Sequence, residues 1–209
     1  MQSFSYKSIL SFIFILCASS LFAQTSQQDK EAQKKARENH QFRVAQRYQR
    51  SNQHENAVRI LESLYRNNAG SVKYYRSLLE SYLKLNNMDM ARQLIEQQQA
   101  KDQRNPRYEI DFGDVLYKSG DKEKAKLAWE NAIKRHSANV GVYSILANIL
   151  ASNRLYDEAI DVYQQGYENH PDKHYLLKNI ADLHTRRLQY HSAVSYTHLR
   201  AHETPLHRV

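Results

Sequence analysis

The sequence predicts an all-α protein, a solenoid of about 4.5 to 5 antiparallel helical hairpins. Three observations carry that expectation: a period of 34 residues, apolar positions at helical spacing inside each period, and a composition with only three prolines and five glycines in 209 residues. The abundant Ala, Leu, Gln, Arg and Lys favour helix because unbranched side chains lose little rotamer freedom there. A hydrophobic content of 41% is enough to bury a core, and 25% charged residues is ordinary for a globular chain. The formal net charge of +8 permits an acidic partner but says nothing about the fold.

The first element is residues 1–23, where Lys7 precedes an uncharged run from Ile9 to Ala23. That run is 15 residues long, shorter than the roughly 20 a spanning helix needs, and it ends in small residues. It reads as a secretory signal peptide cleaved after Ala23, leaving Gln24 as the new N-terminus. The expected address is therefore export, to a bacterial periplasm or beyond the cell, with no membrane association after cleavage. Cys17 is the only cysteine, and Leu16 stands before it where a lipoprotein signal requires a small residue. Removal of the signal leaves no thiol for an intramolecular disulfide, so packing alone must hold the fold. Residues 24–37 are polar and read as a linker or a helix extension.

The repeat region spans residues 38–194. Ala57, Ala91, Ala125, Ala159 and Ala193 follow one another at intervals of 34. Thirteen residues before each alanine stands a large apolar residue, in order Val44, Leu78, Phe112, Leu146 and Ile180. Ala45, Leu79, Gly113, Ala147 and Ala181 come next, and three residues further on Tyr48, Tyr82, Leu116, Leu150 and His184. Leu61, Ile95, Trp129, Tyr163 and Thr197 lie four residues after the alanines. Spacings of three and four place the first group on one face of a helix and the alanine with its follower on one face of a second. Polar stretches between the two, Ser51 to His54, Asn86 to Asp89 and Lys118 to Asp121, suit tight turns, and Gly120 can end a helix in the left-handed conformation. Pro171 separates the fourth unit from the fifth.

The pattern resembles the tetratricopeptide repeat, which Tyr143, Leu146, Ala147, Leu150, Ala159, Tyr163 and Pro171 match within one unit. Leu79 stands where that family has a small residue, and Gln41 and Glu109 where it has a large apolar one. The resemblance implies a right-handed superhelix whose hairpins stack because none can bury its apolar face alone. The tyrosines and Trp129 in the repeating columns are then core residues.

From about Val194 the sequence Val-Ser-Tyr-Thr-His-Leu-Arg-Ala-His-Glu-Thr-Pro resembles a peptide produced when sequencing-adapter DNA is translated. Thr197 and Arg200 occupy positions that are apolar or small in most earlier units, so residues 195–209 read as a non-native tail with a frayed end. Pro205, 34 residues after Pro171, points the other way.

No glycine-rich phosphate loop, nucleophile elbow or cysteine nucleophile occurs in the mature chain, and the sequence predicts neither catalytic residues nor a cofactor. His198 and His202 have zinc-like spacing but lack a third ligand, and His170 and His174 straddle Pro171, so no metal site is predicted. Carboxylate pairs such as Asp111 with Asp114 read as solvated helix charge.

The resemblance instead implies a binding role, in which the first helix of each hairpin lines a concave face that holds an extended peptide. In register, that face includes Ile110, Asp114, Lys118, Ser144, Asp182 and Arg186, and its candidate contacts are Arg76, Lys84, Tyr117, Asn148 and Lys178. Some family members clamp a terminal carboxylate with lysine followed by asparagine four residues on. No pair here reproduces it: the corresponding positions hold Phe42 with Gln46, Arg76 with Glu80, Ile110 with Asp114, Ser144 with Asn148 and Lys178 with Asp182. The expected occupant is a protein or peptide with some acidic character. The alternatives are a basic solenoid that binds nucleic acid, for which export argues poorly, and the repeat region of a larger enzyme. No small-molecule substrate is evident.

Overall fold

A computed structural model describes the backbone of residues 6–203 and the side chains of residues 27–191. The signal-peptide side chains, Cys17 among them, the His198/His202 pair and the tail from residue 204 lie outside the described residues. Among the described residues all regular structure is helical, in nine helices. The fold class is that of an all-α helical-repeat solenoid. The chain forms two compact units, Met1–Asn87 and Met88–Val209.

The first unit holds α1 (Tyr6–Arg50), α2 (His54–Asn67) and α3 (Val72–Lys84). Residues 24–37 belong to α1, a helix of 45 residues, and residues 27–37 are exposed on every side. Ala45 and Ala57 are fully buried with Leu61, at the small positions where helices can approach closely. Polar groups tie the unit across its helices: Gln49 Nε2 donates to Ser77 O and to Ser81 Oγ, each at 2.9 Å, and Tyr82 OH donates to Glu62 Oε1 at 2.7 Å. Phe42 packs edge-on to Tyr74 at 5.3 Å between centroids, with Lys73 Nζ 4.8 Å from the Tyr74 ring centre. The same ammonium lies 5.4 Å from the Phe42 ring centre, so this cation–π contact joins α3 to α1.

The second unit holds α4 (Met88–Gln99), α5 (Pro106–Lys118), α6 (Lys122–His136), α7 (Val140–Ser152), α8 (Tyr156–Asn169) and α9 (Tyr175–Glu203). Side-chain caps start three of these helices. Asn105 Oδ1 accepts from Arg107 N with Pro106 at the first helical position, Asp121 Oδ1 accepts from Lys124 N, and Asn139 Oδ1 accepts from Gly141 N. Each satisfies a helix N–H that has no partner within the helix. The core joins Ile110, Trp129, Tyr143, Leu146, Leu150, Ile160 and Tyr163 to Leu176 and Leu183 of α9. Ala125, Ala147 and Ala159 within it are fully buried.

Two glycines set the closest approaches. A Cβ on Gly113 of α5 would lie 2.3 Å from Trp129 Nε1 of α6, and a Cβ on Gly166 of α8 would lie 2.9 Å from Tyr143 Cβ of α7. The indole fills the space left by the missing side chain, and its Nε1 donates to Ile110 O at 3.1 Å.

The helix-ending turns repeat as strictly as the core. Asn52, Asn86, Gly120 and Arg154 have φ of 58, 56, 93 and 65°, and they lie 34 residues apart. After each, the next N–H reaches back to close the cap: Gln53 to Tyr48 O, Asn87 to Tyr82 O, Asp121 to Leu116 O and Leu155 to Leu150 O, at 2.8 to 3.0 Å. This is a Schellman ending, in which one left-handed residue satisfies the last carbonyls. The sequence pointed to Gly120 alone; two asparagines and an arginine take the same role elsewhere.

One period beyond Arg154 stands Leu188, and there the pattern breaks. A strict 34-residue period would place another turn here, but α9 runs through it as one helix of 29 residues. A leucine side chain crowds the following carbonyl in the left-handed region, at a cost of about 1–2 kcal/mol that glycine avoids and asparagine reduces. α9 thus supplies the first helix of a fifth unit without a separate second one.

Candidate partner-binding face

The five candidate contacts fall on first helices of both units. Arg76 lies in α3 and Lys84 ends it; both are exposed. Tyr117 of α5 is half-buried, tilted against Trp129 at 5.8 Å between centroids, with Lys122 Nζ 5.8 Å from its ring centre. Tyr117 is thus partly a packing residue. Asn148 of α7 and Lys178 of α9 are exposed. Within the second unit, Tyr117, Asn148 and Lys178 lie on alternate helices of the stack, α5, α7 and α9, as first helices of successive repeats do.

Two other residues expected on this face are withdrawn from it. Ile110 is fully buried in the core. Asp114 is 6% exposed and does not behave as solvated helix charge. Its Oδ1 accepts from Lys118 Nζ and from Asn153 Nδ2 at 2.7 Å, while Lys118 Nζ also donates to Asn153 Oδ1 at 2.7 Å. The three side chains form a closed ring between the end of α5 and the end of α7. Charge-assisted bonds of this kind fix the two helix ends relative to each other. Asp111 is buried as well, with Arg107 Nε at 3.3 Å. Burial requires such partners, since an unpaired carboxylate away from water is very costly.

A second polar group was not legible in the sequence. Tyr163 of α8 is buried, yet its hydroxyl donates to Asn148 Oδ1 at 3.4 Å. Burial pushes its phenol above the ordinary tyrosine value, while hydrogen bonding with Asn179 and the charge of Arg186 draw it back. Asn148, Asn179 and Arg186 therefore surround the phenol of a core tyrosine from α7 and α9. Tyr163, Asn148 and Arg186 could be tied to repeat positions beforehand; Asn179, one residue after Lys178, carried no signal. Asn153 carried no signal either, since its contact with Asp114 and Lys118 depends on how the ends of α5 and α7 meet.

His170 and His174, separated from a metal role in the sequence, have structural neighbours. His170 Nε2 lies 2.9 Å from Ser137 O with its ring edge-on to Tyr143, and the His174 ring lies 6.3 Å from that of Tyr167. Among the described residues there is no group of three His, Cys, Asp or Glu able to hold a metal ion, and no helix long and apolar enough to cross a membrane.

The sequence profile of the family described as "Tetratricopeptide repeat" matches residues 110–174, which run from the core of α5 through α8 to the turn before α9. Over that stretch the chain resembles tetratricopeptide repeats. Solved structures similar to it include "MamA RS-1 ArsTM double mutant", at 14% identity over 80% of this chain and 97% of that one, with a TM-score of 0.43. "MamA 41-end from Desulfovibrio magneticus RS-1" is 15% identical over 82% and 97%, with a TM-score of 0.42. TTC0263, a thermophilic tetratricopeptide-repeat protein of Thermus thermophilus, is 15% identical over 70% and 98%, with a TM-score of 0.36. No curated protein matches the chain. In tetratricopeptide terms α5–α6 and α7–α8 are two complete repeats, and α9 opens the next.

Proposed function

We propose that this tetratricopeptide-repeat chain is an exported interaction scaffold, which holds a partner protein or extended peptide of some acidic character on its first helices and catalyses no reaction. The observation that carries the reading is the division of polar groups in the second unit. Asp114 and Lys118 neutralise each other in the ring with Asn153, whereas Asn148, Lys178, Asp182 and Arg186 remain exposed on α7 and α9. The exposed set has two cations and one anion on α9 and an amide on α7, a surface suited to backbone hydrogen bonds and acidic side chains. Export is supported by Lys7 ahead of the apolar run to Ala23.

The test is a pull-down from a cell-envelope extract with the chain beginning at Gln24, followed by titration of the recovered partner. Lys178→Glu with Asn148→Ala should weaken binding about fivefold or more, the equivalent of about 1 kcal/mol. Arg76→Glu with Lys84→Glu probes the first unit separately. Equal affinity for wild type and both double variants removes these faces from consideration. Processing is checked by fractionation and N-terminal sequencing: recovery of the intact N-terminus from the cytoplasm defeats the export reading.

A further inference from the structure

We draw no further inference here: the strongest candidate, the exposed stripe of Leu177, Ala181, His184 and Leu188 along α9, is an unpartnered helix face beside the buried Leu176 and Leu183, and nothing in the structure shows what covers it.

Discussion

Gly113→Ala is the sharpest test of how the second unit is packed. The added methyl carbon would lie 2.3 Å from Trp129 Nε1 and 2.5 Å from its Cδ1, distances real contacts do not reach. Backbone of α5 lies on one side and the indole on the other, so one must move. If α5 shifts away from α6, the cost is that of overpacking, about 1–3 kcal/mol. If the indole swings aside instead, it gives up its bond to Ile110 O, a further ~1 kcal/mol, and strands a buried carbonyl. Less the ~1 kcal/mol by which alanine is the better helix former, these place the net loss at about 1–3 kcal/mol. Urea unfolding followed by Trp129 fluorescence measures it directly, because this is the only tryptophan. With a slope of ~1–3 kcal/mol/M, the midpoint should fall by about 1 M. Gly120→Ala is the control: nothing lies within 4 Å of its Cβ, and only the left-handed φ of 93° opposes it, for about 1 kcal/mol. Should Gly113→Ala prove no worse than Gly120→Ala, the contact between α5 and α6 is not where it has been placed.

Ala125→Leu inserts three carbons at a fully buried column position and should cost about 1–3 kcal/mol, read as a lower melting midpoint. Tyr82→Phe tests the first unit through pH. The Tyr82 phenol is held well above its ordinary value, first by burial and then by its bond to Glu62. The folded state therefore keeps the proton while the unfolded chain releases it above about pH 10, so stability should fall as pH rises beyond that point. Phenylalanine should lose the hydrogen bond but remove part of that alkaline decline, and identical pH profiles for the two proteins would contradict the assignment.

What the sequence made legible is whatever the repeat enforces many times over. Ala57, Ala125 and Ala159 are fully buried because a larger side chain at any of them would separate two helices, and the same constraint at 34-residue intervals makes a visible column. Gly113 was readable as a member of the small-residue column, although the indole it faces was not. Features that occur once were hidden. Asp114 looks like any exposed helical carboxylate until the chain end of α7 brings Asn153 within 2.7 Å of it. The left-handed turns were hidden differently: their geometry recurs, but Asn, Gly and Arg can each adopt it, so no single residue type announces it.

That ring also changes what net charge means for binding. Lys118 counts toward the formal +8, yet Asp114 and Asn153 hold its ammonium group, and Arg107 is similarly turned toward buried Asp111. Arg187 pairs with Asp157 at 2.5 Å and Arg135 with Glu109 at 2.7 Å. These cations stabilise helix contacts or repeat junctions and have less to offer a partner. Exposed pairs of this sort contribute little stability, about 0–1 kcal/mol each, but they lower the positive potential that a polyanion would meet. A nucleic acid needs many phosphates neutralised along a continuous track, whereas a peptide needs only a few correctly spaced groups. The cations committed to repeat packing therefore weaken the case for a polyanion, and leave Lys178 and Arg186, set beside Asn148 and Asp182, as a short mixed surface on the scale of a peptide.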